Sequence, residues 1–120
     1  MADEIRILIA DDHVLVREGT RKILEHEHDL KIVAEAGDGE EAVRLTAELA
    51  PDVAIIDINM PKLDGIEVTK QVKALCPQTK VLILSAYDEY QFVLRLLECG
   101  ADGYLLKSVR GNELVEAVRS

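Results

Sequence analysis

The chain has 120 residues, the size of one compact domain, and 48% of them are hydrophobic, enough for a buried core. A formal net charge of −9 argues against a domain that grips a phosphate backbone by itself, and it suits a metal cation or a basic partner surface. No apolar stretch approaches the roughly 18 residues of a membrane span, and the acidic start Met1-Ala2-Asp3-Glu4 lacks a secretory pattern, so the expected location is cytoplasmic.

The first apolar run, Ile7-Leu8-Ile9-Ala10, reads as a buried strand over about 5–10 that ends at Asp11-Asp12. In the helix that follows, Val16, Ile23 and Leu24 are expected to face inward. Gly19 in its interior costs about 1 kcal/mol relative to Ala, which close packing would offset. A second strand covers about 31–36. The second helix places Ala42, Leu45, Thr46 and Leu49 on one face. Asp38 caps it, Glu41 is the capping-box partner, and it stops before Pro51.

The third strand, about 53–57, is the apolar run Val53-Ala54-Ile55-Ile56 closing on Asp57. Ile58-Asn59-Met60-Pro61 follows, and the stretch from Pro61 to Gly65 reads as a turn. Gly65, Val68, Val72 and Leu75 then form a helical stripe that Pro77 ends. The fourth strand, about 80–85, ends in Ser85. In the fourth helix, about 89–99, Tyr90, Val93, Leu94 and Leu97 make one stripe while Phe92 and Leu96 lie off it. That surplus is either a partner surface or a broader buried face. The fifth strand, about 103–106, leads into Lys107. The last helix runs from near Gly111 through Leu114, Val115 and Val118 to Ser120 without a cap or breaker, so a longer parent protein is expected.

Five strand–helix units with largely apolar strands imply an α/β fold, a doubly wound parallel sheet covered on both faces. In such sheets ligands bind beyond the carboxyl ends of the strands. Asp11, Asp12, Asp57, Ser85 and Lys107 all stand at those ends. Three carboxylates brought together oppose one another, and a divalent cation removes the conflict. All-oxygen ligation suits Mg²⁺, and with Lys107 the site becomes neutral and ready for a phosphoryl group. A carboxylate can attack phosphorus to give an aspartyl phosphate. Mg²⁺ and Lys107 would hold the phosphoryl oxygens, the Ser85 hydroxyl would donate a further bond, and the small Ala86 would leave room.

Asp11-Asp12, Asp57 with Met60-Pro61, Ser85-Ala86 and Lys107 together resemble the receiver domain of bacterial two-component response regulators, over the whole chain and including Gly100-Ala101-Asp102-Gly103-Tyr104. Asp11-Asp12-His13, Val16-Arg17-Glu18-Gly19 and Gly103-Tyr104-Leu105-Leu106-Lys107 resemble its LuxR-type subgroup. The resemblance implies a flavodoxin-like (βα)5 fold with strand order 2-1-3-4-5. It implies Asp57 as the phosphoacceptor from a sensor histidine kinase. Asp12 and Asp57 would ligate Mg²⁺ with the Asn59 backbone carbonyl, and Asp11 would help directly or through water. Ser85 and Lys107 would bind the phosphoryl group. Tyr104 would be a switch aromatic whose inward turn changes the partners of the face made by the fourth helix, fifth strand and fifth helix. A helix-turn-helix output domain would lie in the parent protein, and a homodimer formed on phosphorylation is a further possibility.

One residue departs from the family pattern. Ser108 follows Lys107 where many receivers have a cis proline, so either a costly non-proline cis bond is stored there or the loop differs. Taken singly, the residues also have plain roles: Asp12 as a helix cap, Ser85 and Tyr104 as core residues, Lys107 as a solvated charge, Tyr87 as a loop aromatic instead of a shield for the phosphoryl group. His13 adjoins the acidic pair, but Mg²⁺ disfavours nitrogen. His26 and His28 read as surface residues, and Cys76 and Cys99 as buried or half-buried free thiols. The competing functions are a haloacid-dehalogenase-type phosphohydrolase, a flavin- or nucleotide-binding domain, and a phosphorylation-independent protein-binding module. The hydrolase would need a second Asp where Asn59 stands, and the nucleotide site a Gly- or Ser/Thr-rich loop where Asp11-Asp12-His13-Val14 stands.

Overall fold

The computed structural model describes residues 4–58, 65–85, 90–107 and 111–120, the side chains of 90–93 excepted. Among the described residues, strands β1 (Ile5–Ala10), β2 (Leu30–Ala36), β3 (Val53–Asp57), β4 (Lys80–Ser85) and β5 (Gly103–Leu106) alternate with helices. The helices are α1 (Val14–Glu25), α2 (Gly39–Leu49), α3 (Gly65–Leu75), α4 (Tyr90–Glu98) and α5 (Gly111–Arg119). The strands form one parallel sheet in the order β2-β1-β3-β4-β5. This is the doubly wound flavodoxin-like arrangement expected from the sequence.

Pleating divides the strand residues between two cores. Leu8, Ala10, Ala54, Ile56, Val81 and Ile83 face Ala42 of α2, Val68 and Val72 of α3, and Leu96 of α4. Ile7, Ile9, Val53, Ile55, Leu82 and Leu84 face Leu24 of α1 and Leu114, Val115 and Val118 of α5. Every residue of β3 is buried, because helices cover both sides of a central parallel strand.

The edge strand β2 breaks the alternation. Ile7 pairs with Ile32 but Leu8 pairs with Ala34, so Val33 is an extra, bulged residue. Leu30 and Ile32 therefore pack on the α1 side, while Ala34 and Ala36 pack on the α2 side. The bulge also pairs Glu35 with Ile9 and turns the carboxylate toward α1, where it meets Arg17 and Arg21.

Helix faces differ from expectation in three places. In α1 the buried residues are Thr20 and Leu24, whereas Val16 and Ile23 are exposed. The line facing the sheet runs through the half-buried Arg17 and Arg21, which Glu35 draws inward. In α3 Gly65, Val68 and Val72 are buried as expected, but Leu75, in the last turn, is exposed. In α4 Leu96, expected off the stripe, is 1% exposed, while the stripe residues Leu94 and Leu97 are 40% and 47% exposed, so the core-facing line passes through Leu96. The side chains of Tyr90, Phe92 and Val93 lie outside the described residues. Apolar residues around most of α4 left its rotation undetermined by pattern alone.

Helix α2 follows its pattern: Ala42 and Thr46 are buried, and Leu45 and Leu49 are half-buried. The Asp38 carboxylate accepts from the Glu41 N–H at 2.8 Å. The return bond is shifted by one residue, since Glu41 Oε1 accepts from the Gly37 N–H at 2.7 Å. Ala50 ends the helix in the left-handed region at φ 44° before Pro51. Arg119 at the end of α5 ties back to Glu27 and Asp29, and its hydrogen bond holds the Asp29 carboxyl below its usual range.

Two glycines have opposite meanings. A Cβ at Gly65 would lie 2.7 Å from Ile58 Cα, so α3 starts pressed against the chain leaving β3. The Gly65 N–H donates to the Ile58 carbonyl at 2.9 Å. A Cβ at Gly19 would meet nothing within 4 Å, which overturns the expectation of close packing there. Gly65→Ala is therefore expected to destabilise by about 1–3 kcal/mol through overpacking. Gly19→Ala is expected to stabilise by about 0.5–1 kcal/mol through helix propensity. Urea unfolding midpoints of the two variants check both signs.

Candidate functional site

The site is assembled by register. Ala10 pairs with Ile56, so Asp11 and Asp57 leave adjacent strands side by side. Strand order reverses here, because β1 lies between β2 and β3. Asp11 and Asp57 are 3% and 2% exposed. Burial of this kind is costly for a carboxylate without compensation. Lys107 supplies part of it: its Nζ lies 3.2 Å from Asp57 Oδ1 and 3.5 Å from Asp11 Oδ2. The Lys107 N–H donates to the Ser85 carbonyl at 2.7 Å, which fixes the start of the long side chain at the end of β4.

Asp12 is less buried than Asp11 and does not serve as a helix cap. His13 is the N-cap residue of α1 and makes no side-chain cap bond. The Asp11 carboxylate instead accepts from the His13 N–H at 2.9 Å, closing the turn into the helix. Asp11, Asp12, His13 and Asp57 each offer one ligand atom, and these atoms lie within 4.8 Å of one another. The three carboxylates make a hard, oxygen-rich donor set, which fits a divalent cation such as Mg²⁺ beside the Lys107 ammonium.

Ser85 is buried at the end of β4 and paired with Leu106 of β5. Tyr104 is half-buried and packs against the core beneath α2, α3 and α4. Asn59, Met60, Pro61, Ala86, Tyr87 and Ser108, and hence the Lys107–Ser108 bond, lie outside the described residues. His26 and His28 are exposed, and Cys76 and Cys99 are half-buried free thiols.

Residues 7–119 match the response regulator receiver domain family. The chain belongs to that family. It is 45% identical over 117 residues to the transcriptional regulatory protein DegU of Brevibacillus brevis, an alignment covering 98% of this chain and 50% of DegU. The chain spans about half the length of the curated relatives it matches. The receiver domain of NarL from Mycobacterium tuberculosis superposes with a TM-score of 0.95 at 39% identity, covering 98% of this chain and 95% of that one. A chain of the CheX–CheY–BeF3–Mg²⁺ complex of Borrelia burgdorferi superposes with a TM-score of 0.91 at 29% identity, covering 97% and 87%. Among the described residues of this receiver domain, no helix is long and apolar enough to cross a membrane.

Arg17 is a supporting residue of the receiver site that sequence reasoning did not single out. Its Nη1 donates to the Asp11 carbonyl at 2.7 Å, and its Nε donates to Glu35 Oε1 at 3.2 Å. Arg21 holds the other Glu35 oxygen at 2.8 Å, and this bond raises the Arg21 pKa. The guanidinium thus fastens the Asp11-Asp12 turn to α1 and β2. Nothing in the spacing of Arg17 and Glu35 announces the contact, because the β2 bulge creates it. Arg17→Met is expected to cost about 1–3 kcal/mol, as for loss of a part-buried charged hydrogen bond. Arg44→Met, on the exposed side of α2, is expected to stay within about 0.5 kcal/mol. Chemical denaturation of both variants makes the comparison.

Proposed function

We propose that this domain is a phosphorylation switch in which Asp57 accepts a phosphoryl group from a sensor histidine kinase. The observation that carries the reading is the buried pair Asp11 and Asp57 bridged by Lys107 at the carboxyl edge of the sheet. The Asp57 carboxylate oxygen attacks phosphorus, the P–O bond forms as the P–N bond to the kinase histidine breaks, and the imidazole leaves with that electron pair. Lys107 neutralises a phosphoryl oxygen, and the Ser85 hydroxyl donates to another. Asp12, Asp57 and the Asn59 carbonyl would hold Mg²⁺, with Asp11 acting directly or through water. The bound cation supplies positive charge against the transferring phosphoryl oxygens. The BeF3 and Mg²⁺ in the CheX–CheY complex support this pairing of ligands for the fold.

Tyr104 is the aromatic that turns inward once Ser85 engages the phosphoryl group. The exposed Leu94 and Leu97 of α4 belong to the face whose partners then change. In the parent protein that face controls a helix-turn-helix output domain, and phosphorylation favours a homodimer. DegU's description as a transcriptional regulatory protein supports such an output. The receiver domain itself, at −9, does not bind nucleic acid, and the protein acts in the cytoplasm. Beyond its own phosphorylation and slow dephosphorylation, it is not an enzyme.

Intact-mass measurement after incubation with acetyl phosphate and Mg²⁺ tests the assignment. Wild type is expected to gain one phosphoryl group and Asp57→Asn none, with Lys107→Met gaining it far more slowly. Continuous release of phosphate from a generic ester would point instead to the phosphohydrolase. Mass gain by Asp57→Asn would move the acceptor to another residue.

A further inference from the structure

The cation site has a nitrogen on its rim. His13 Nδ1 lies 3.4 Å from Asp11 Oδ1 and 3.3 Å from Asp12 Oδ1. One ring nitrogen of His13 also falls, with an Asp57 oxygen, inside the group of ligand atoms that lie within 4.8 Å of one another. Neighbouring ligands of an octahedral ion with bonds of about 2.1 Å stand about 3 Å apart, so these separations need only a small contraction. The His13 N–H bond to Asp11 Oδ1 fixes the backbone from which the imidazole projects. The ring is not required as a helix cap, since it makes no cap bond in α1. Its side chain is 66% exposed, so the ring adds a ligand at the solvent side of the site, where a hexa-coordinate ion would otherwise carry water.

We propose that His13 is a specificity-determining ligand that makes this a mixed nitrogen–oxygen site, favouring borderline transition-metal ions such as Ni²⁺ and Cu²⁺ over Mg²⁺. The inference rests on the carboxylate cation site of the proposed function and adds one ligand to it. Mg²⁺ gains little from imidazole, whereas the later first-row ions bind it well, with affinity rising toward nickel and copper. The carboxylates set whether a cation binds; His13 sets which one. Unliganded, the same imidazole pairs with Asp11 and Asp12 as an ordinary surface contact, and the experiment separates that role from ligation.

The experiment uses the 120-residue chain as wild type, His13→Ala and Asp12→Asn, with each metal ion added alone. Calorimetry is expected to show Ni²⁺ affinity falling roughly tenfold or more in His13→Ala while Mg²⁺ affinity changes by less than about twofold, on the scale at which metal sites respond to loss of a supporting group. Electron spin-echo modulation of bound Mn²⁺ is expected to show nitrogen coupling in wild type and none in His13→Ala. Asp12→Asn is expected to weaken both Mg²⁺ and Ni²⁺. Bound Mn²⁺ without nitrogen coupling in wild type, or equal changes for Ni²⁺ and Mg²⁺ in His13→Ala, overturns the role of His13 and leaves the carboxylate site standing. Undiminished binding of both ions by Asp12→Asn overturns the carboxylate site and this inference with it.

Discussion

The structure depends on a charge conflict held in place by strand register. Asp11 and Asp57 are almost fully buried on adjacent parallel strands, and one lysine, reaching over β4 from the end of β5, contacts both. In a parallel sheet all carboxyl ends meet along one edge, so the sequence-distant ends of β1, β3, β4 and β5 deliver their terminal residues to one place. Like-charged carboxylates at that edge cost stability, and a buried ion pair by itself offsets little of the desolvation. The two apolar cores on either side of the sheet hold the strands in the register that keeps the carboxylates together. The site is strained by charge and supported by packing, the pattern expected where function overrides local stability.

The supports around the acidic turn show how that arrangement is maintained. The β2 bulge aims Glu35 at α1, Glu35 orients Arg17, and Arg17 holds the Asp11 carbonyl. On the other side, the Lys107 backbone is tied to Ser85. Phosphoryl chemistry at Asp57 would therefore act on groups already linked to β4 and β5, the elements that lead to the exposed leucines of α4. A local change of charge can bias those elements without any rearrangement of the core.

The strands and their polar terminal residues were legible in the sequence, because buried parallel strands are short apolar runs and a charged residue ending one stands out. The acidic residues and Lys107 were legible for the same reason. Helix rotation was harder to read. In α4 apolar residues lie on most sides, so the buried line through Leu96 could be found only from its contacts, and in α1 the inward positions are occupied by Arg17 and Arg21 instead of by Val16 and Ile23. The alternation Leu30, Ile32, Ala34, Ala36 looks like one face of a strand, yet a single bulged residue sends its halves to opposite cores. The contacts of Arg17 escaped notice because they depend on that bulge and on the turn after Asp12, features of backbone geometry with no residue signature.

The most direct measurement is the unfolding free energy with and without Mg²⁺, in wild type and in Asp12→Asn. Repulsion relieved by a cation predicts that Mg²⁺ stabilises wild type by on the order of 3 kcal/mol when free Mg²⁺ exceeds its Kd about a hundredfold. It also predicts that Asp12→Asn is more stable than wild type in chelator and gains much less from Mg²⁺. Stability of wild type that is indifferent to Mg²⁺, or an Asp12→Asn variant that is weaker in chelator, would contradict the account.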